Sequence, residues 1–280
     1  MPTYRLTLEY EGTRYRGWQE QRDVRTVAGE LRRALEPHAG PDFELGGAGR
    51  TDAGVHALEQ VAHLRCRRRL GPLAEVVREV AERLPADIHL LRLEPAAGRF
   101  HARHDAERRS YLYQVSRRRT ALAKRFVWWV RRPLDDGAIS RAAAAIAGDH
   151  DFAAFCEKPQ AQTSTRVVVD EVEVATAGDL VLVRIVASHF LWKMVRRLVG
   201  TLVEVGAGEL GPDDLSALIA GTPGAPDFRP AEHTAPPSGL FLERVLYAGE
   251  PPLGALVAAV PVAPARRGAE PAAAAHSRSS

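Results

Sequence analysis

Twice along this chain the apolar pattern spells the same order of elements, and that doubling restricts the fold more than any other feature. In residues 4–10, Tyr4, Leu6, Leu8 and Tyr10 alternate with Arg5, Thr7 and Glu9, as in a strand buried on one face. Thr26 can cap a helix whose Val27, Leu31 and Leu35 share one side. Phe43 and Leu45 open a short strand, residues 60–66 form the next, 70–84 read as a helix, and 88–93 as a strand. Strand, helix, strand, strand, helix, strand is the ferredoxin-like split unit. The order then recurs. Residues 110–115 and 126–130 are strand-like, 136–147 are an alanine-rich helix, and 167–174 pair with 180–186 around Ala177-Gly178-Asp179. Residues 190–205 carry the strongest helical pattern, and 239–247 close the series. The expectation is an α+β chain of two ferredoxin-like α/β halves, residues 1–105 and 106–249. Their strands join in one mixed, mainly antiparallel sheet. From 250 to 280 Pro, Ala, Arg and Ser prevail, which predicts a disordered tail.

Between the first hairpin's strands, residues 47–57 read Gly-Ala-Gly-Arg-Thr-Asp-Ala-Gly-Val-His-Ala. Three glycines allow turns that a side chain forbids. The loop presents Arg50, Thr51 and Asp52 just before a strand, where a scaffold can hold polar groups toward a ligand. An aspartate in a glycine-rich turn is more often a structural turn residue, so its weight comes from the rest of the chain. In residues 190–205, Phe190, Met194, Leu198 and Leu202 fall on one helical face. Lys193, Arg196, Arg197 and Gly200 fall on another; a cation there that reached Asp52 would lower the carboxyl pKa. Tyr111 and Tyr113 share one strand face, opposite Ser110 and Leu112, and either pack in the sheet or stack on a nucleobase. His101 and His104 lack a neighbouring carboxylate–histidine set, so no metal is expected.

The net charge of +3 is small but unevenly spread. Arg65, Arg67, Arg68 and Arg69 cluster, as do Arg117, Arg118 and Arg119, Lys124 and Arg125, and Arg131 and Arg132. Guanidinium forks suit phosphate, so these clusters point to a polyanion such as RNA. Cys66 and Cys156 are too few and too far apart for a disulfide scaffold or a zinc site. The chain carries no apolar run near the roughly 20 residues that cross a bilayer. It opens on a strand pattern, not a secretion signal. A reduced, cytoplasmic protein is the expectation.

Several stretches, in order, carry a family resemblance. They are Tyr10-Glu-Gly-Thr-Arg-Tyr-Arg-Gly-Trp-Gln19, the 47–57 loop, Phe100-His-Ala-Arg103, Arg109-Ser-Tyr-Leu-Tyr113, residues 190–200 and residues 234–242. From about Tyr4 to Tyr247 the chain resembles the tRNA pseudouridine synthases of the TruA type. The resemblance implies the pseudouridine synthase fold and a reaction that breaks the N1–C1′ bond of uridine, turns the uracil and joins C5 to C1′. It implies no metal and no redox cofactor, and a homodimer with one RNA leaning on both subunits. It makes Asp52 the catalytic carboxylate, Tyr111 the active-site tyrosine and Arg196 the basic partner. Arg50 matches an arginine that turns the uridine out of its stack. Thr51, His56, Arg103 and Leu242 stand in its motifs as substrate-binding candidates. Four places depart from the pattern: Ala28 replaces a glutamine, Ala81-Glu82-Arg83 an asparagine, His104 an aromatic and Cys156 a polar residue. They leave two substrates open, the anticodon stem-loop of tRNA and a free uridine nucleotide for C-nucleoside biosynthesis. A non-catalytic RNA-binding protein ranks below both, because Asp52 is present.

Overall fold

The computed structural model describes residues 1–222 and 225–263. The first half comprises β1 (Thr3–Tyr10), α1 (Val27–Ala39), β2 (Phe43–Gly47), β3 (His56–Cys66), α2 (Leu73–Arg83) and β4 (Ile88–Ala96). The second begins with β5 (Ala106–Ser116), the two-residue β6 (Trp128–Trp129), α3 (Asp136–Ala144) and the short β7 (Gly148–Asp151). It continues through β8 (Arg166–Ala177), β9 (Leu180–Ala187), α4 (Met194–Gly206), α5 (Pro212–Ala220) and β10 (Leu240–Tyr247). Caps set the helix starts: the Thr26 hydroxyl accepts the Gly29 N–H at 3.3 Å, and the Asp135 carboxylate that of Ala138 at 3.0 Å.

The sheet runs β4-β1-β3-β10-β5-β9-β8-β7. Within each half the main strands are antiparallel neighbours, in the order fourth, first, third, second of the split unit, and the two-residue β6 adds a short parallel pairing to β5. The halves join where β3 runs parallel to β10, His56 beside Phe241 and Ala57 beside Leu242. β2 lies along the other end of the same β3 edge, pairing with Ala62 to Cys66. The edge between them is taken by the loop that connects β2 to β3, beginning with Ala48, whose N–H donates to Val61 O at 2.8 Å. The glycine loop therefore emerges at the centre of the molecule, where the two halves part.

One sheet face packs on the helices, through Leu31 and Leu35 of α1, Ile139 of α3 and Leu198 and Leu202 of α4. Each such leucine contributes about 1.5–3 kcal/mol by leaving water. The other face joins Leu112, Leu180, Leu182 and Phe241 to Ala123, Val127 and Val262.

Three differences from expectation have local causes. The strongest helix starts at Met194, not at 190, because Lys193 is left-handed (φ 62) and breaks the turn. Phe190 leaves the helix stripe and meets Tyr111 edge-on, centroids 4.9 Å apart. The unanticipated α5 buries Leu215 and Ile219 alone of its residues, too thin a stripe to stand out in sequence. Residues 250–263 are not free chain. Leu256, Val260 and Val262 lie against the Leu112–Phe241 face. The Gln114 amide pairs with both the N–H (3.2 Å) and the C=O (3.3 Å) of Val260, as a neighbouring strand would. Arg184 holds Gly254 O at 3.0 Å. Composition alone did not reveal that an apolar face lay waiting for this segment. Residues 264–280, with Arg266, Arg267 and Arg278, lie outside the described residues.

Candidate active site

The glycine loop is fixed from several sides before any substrate arrives. A Cβ on Gly12 would overlap the Val55 carbonyl, and one on Gly17 (φ +92) would lie 2.5 Å from Thr51 O. Glycine alone permits that approach. The Trp18 N–H donates to Thr51 O at 3.1 Å, and the Thr51 hydroxyl meets the Tyr10 hydroxyl at 2.8 Å. Gln60 Nε2 donates to Gly49 O at 3.0 Å. So the stretch from Tyr10 to Gln19 is the cradle of the loop, and Asp52 rides on backbone that has little freedom left.

The Asp52 side chain is 29% exposed. Arg196 Nη1 stands 3.8 Å from its Oδ2, and the guanidinium is steadied by donation from Nε to Ala235 O at 2.7 Å. Burial nevertheless pushes the Asp52 carboxyl above its ordinary pKa, against the pull of Arg196, Lys193 and the Trp192 indole N–H. The expected fall is overturned. At 3.8 Å Arg196 makes no close fork, and the desolvation of the carboxylate outweighs the attraction. Burial likewise lowers the pKa of Arg196.

A working carboxylate must be ionised, so the acid limb of kcat/KM is expected above the ordinary aspartate value of about 3.9. Arg196→Gln removes one of the influences that lower the pKa, and the limb should move to still higher pH. A pH–rate profile that stays put in this variant would show that Arg196 does not act on Asp52.

Tyr111 is buried, with Phe190 at its edge. Burial, then the charges of Tyr10 and Asp52, raise its pKa well above the normal phenol value. At working pH it is a neutral wall with a hydroxyl to donate, not a resting base. Leu242 is fully buried in β10, flanked by Tyr111 on β5 and Ala57 on β3. Three distant segments thus bring Asp52, Arg196 and Tyr111 to the seam between the halves. Arg50 and Arg103 are exposed.

Two candidates do other work. His56 is 1% exposed; its Nδ1 accepts the Gly12 N–H at 3.0 Å and its Nε2 donates to Arg125 O at 2.8 Å. Its ring stacks on Phe241 and touches Phe126, so it pins the loop's exit and has no ring nitrogen left for a ligand. Thr51 is buried with its hydroxyl spent on Tyr10.

Sequence reasoning passed over Arg109. This buried guanidinium donates to four carbonyls: Ala48 (3.2 Å), Arg103 (2.6 Å), Ala106 (3.1 Å) and Ser188 (2.7 Å). It ties the start of the glycine loop to the Phe100–Arg103 turn. Its signal in sequence was its place at the head of the Arg109–Tyr113 stretch, beside two tyrosines.

The arginine clusters are mostly spent within the protein. Arg65 forks onto Glu44, Arg68 holds the carbonyls of His38 and Pro37, and Arg117 pairs with Asp136. Arg118 pairs with Asp179, and Arg132 with Glu204. Among the described residues, no carboxylate forms an ion pair with Arg50, Arg103 or Lys158, and all three are exposed. Glu44, His63 and His101 gather within 4.8 Å, a spacing that suits a metal. However, Nδ1 of His63 accepts the Ala102 N–H, and Nδ1 of His101 accepts the N–H groups of Arg103 and His104. Each Nε2 then carries the proton, the wrong tautomer for ligation.

A half-buried carboxylate beside a fixed cation and a neutral phenol, at the joint of a duplicated sheet, is a candidate reaction centre of an enzyme. A family model described as tRNA pseudouridine synthase matches residues 7–105 and 142–248. The tRNA pseudouridine synthase A proteins of Brucella ovis and Brucella abortus are each 41% identical over 255 residues, covering 89% of this chain and 99% of theirs. The chain belongs to the tRNA pseudouridine synthase family and is an isomerase. A chain of a solved Cbf5-Nop10-Gar1 complex is a loose likeness, with TM-score 0.33 and 12% identity over 71% of this chain and 45% of that one.

Proposed function

We propose that this protein converts uridine to pseudouridine in tRNA, at the anticodon stem-loop, with Asp52 as the catalytic carboxylate. The observation that carries the reading is the convergence of Asp52, Arg196 and Tyr111 on one seam. The ionised carboxylate either attacks C1′, with the N1–C1′ electron pair leaving on the uracil, or removes the C2′ proton to give a glycal. In both routes the freed uracil turns against the wall of Tyr111 and C5 bonds to C1′, displacing the Asp52 carboxylate in the first route or with C2′ regaining its proton in the second, and the C5 proton then departs. The phenol, held neutral, takes part only as a relay that gives up one proton as it takes another. Extruding a base from a stem costs a few kcal/mol. Arg50, exposed on the loop, would fill the gap or hold a phosphate.

Exposed cations with no ion-pair partner, Arg50, Arg103 and Lys158 among them, favour a polymer over a mononucleotide. Incubation with transcribed tRNA and, separately, with uridine monophosphate tests this. Pseudouridine is expected in the tRNA, with an affinity that falls steeply as salt rises. Product from the nucleotide alone would establish the second substrate instead. The family resemblance supports a homodimer, which sedimentation would test. Cys66 and Cys156 are free and buried, which suits a reducing compartment such as the cytoplasm. No described helix is long and apolar enough to cross a membrane.

A further inference from the structure

Beside Asp52 stands a side chain that the reaction does not require in that form. Trp192 is 43% exposed, although large aromatic rings ordinarily bury most of their surface. It lies just before α4, on the approach to Arg196, and its indole N–H is close enough to the Asp52 carboxylate to help hold down that group's pKa. Two ammonium groups attend the ring: Nζ of Lys158 is 5.6 Å and Nζ of Lys193 5.7 Å from its centroid. Both lysines hold a left-handed backbone, φ 52 and 62, and only Asp23 shares that conformation among the described non-glycine residues. Residues with a Cβ seldom adopt it, and where they do the surroundings enforce it. Here the Glu157 N–H donates to Trp192 O at 2.9 Å, and the Glu157 carboxylate pairs with Lys193 and Arg197. The result is a built surface next to Asp52: a partly exposed ring with the ammonium groups of two flexible lysine side chains lying over it, which a stacking base would displace toward its own phosphate.

We propose that Trp192 is a stacking platform for the nucleobase adjacent to the target uridine in RNA, with Lys158 and Lys193 taking the phosphate that links the two nucleotides. This rests on the reading that RNA is the substrate. When a uridine is flipped out, its neighbour loses a stacking partner and one face of its ring is bared to water. An indole can replace that partner whatever the base, because every base has a π-face. Ammonium groups act on phosphate as point charges without a demanded orientation, which suits a strand bent at an extruded nucleotide.

The test is binding of a tRNA anticodon stem-loop, measured in an Asp52→Asn background so that the RNA stays unconverted. Trp192→Ala should weaken binding about tenfold, and Trp192→Phe, which keeps a flat ring, should recover most of that loss. An RNA made abasic at the nucleotide beside the target should bind the Asp52→Asn protein about tenfold more weakly, with little further loss when Trp192→Ala is added. The 5′ and 3′ neighbours are tried separately, and one of them should show this non-additivity. Thermal melting checks that each variant is folded, as the exposure of Trp192 leads one to expect. Equal affinity of the alanine variant and its parent, or losses that simply multiply at both neighbours, would overturn the platform. So would an equal weakening of uridine monophosphate binding by Trp192→Ala, since a mononucleotide has no neighbouring base. None of these results touches the isomerase reading, which fails only if the wild-type protein forms no pseudouridine in RNA.

Discussion

Asp52→Asn is expected to lower pseudouridine formation by about 10⁴-fold or more while leaving a folded protein that binds RNA. The amide is isosteric, so the loop keeps its bonds to Trp18, Tyr10 and Gln60, none of which involves the Asp52 side chain. It has no electron pair basic enough to attack C1′ or to take a proton from C2′. Stability should not suffer. The folded protein holds the Asp52 proton more tightly than the unfolded chain does. Ionising this group therefore costs stability as pH rises through its raised pKa, and asparagine, which never ionises, escapes that cost. The melting temperature of the variant at neutral pH should match or exceed that of the wild type, with the advantage shrinking as pH falls. Residual turnover within tenfold of the wild type would remove Asp52 from the reaction.

Arg109→Met should be the most damaging change outside the reacting groups. It leaves four carbonyls without their guanidinium, those of Ala48, Arg103, Ala106 and Ser188. Hydrogen bonds to a charged group are worth about 1.5–3 kcal/mol each, against which stands the cost of keeping a cation buried. That cost is real here, since burial lowers the pKa of Arg109. Four bonds outweigh it, and a net loss of about 2–4 kcal/mol is expected by denaturant unfolding. Turnover should fall further, by about 10²-fold, because the released Ala48 carbonyl lets the Asp52 loop drift by a fraction of its reach. Arg109→Lys restores charge but not the fork, so it should recover only part of either loss. Wild-type unfolding and turnover in Arg109→Met would show the buried cation to be inert.

Much of the site was legible before any coordinates, and what was not has a common origin. Asp52, Tyr111 and Arg196 were singled out by the family motifs in which they stand, since local chemistry alone left each with a structural reading. His56 belongs to the same motif, yet its ring is closed off by Phe126 and Phe241, which arrive from elsewhere in the chain. Trp192 looked like one more position in a helix until Lys193 turned left-handed and set it on the surface next to Asp52. The arginine clusters suggested a phosphate surface, but most found carboxylates or carbonyls on neighbouring elements. The positions of the main strands, though not all their ends, and the helix capped by Thr26 were readable because periodicity and capping act over a few residues.

By itself the sequence determined the doubled strand–helix order, the glycine bend and the kinds of group available for chemistry. These depend on side-chain alternation, on backbone freedom and on residue identity, all local properties. Only the tertiary structure decided where β10 meets β3, that Arg196 stops 3.8 Å from Asp52, and that residues 250–263 pack against the sheet. It also decided the direction in which the Asp52 carboxyl titrates. A charge is stabilised or penalised by everything that surrounds it, and those surroundings do not exist until the chain has folded.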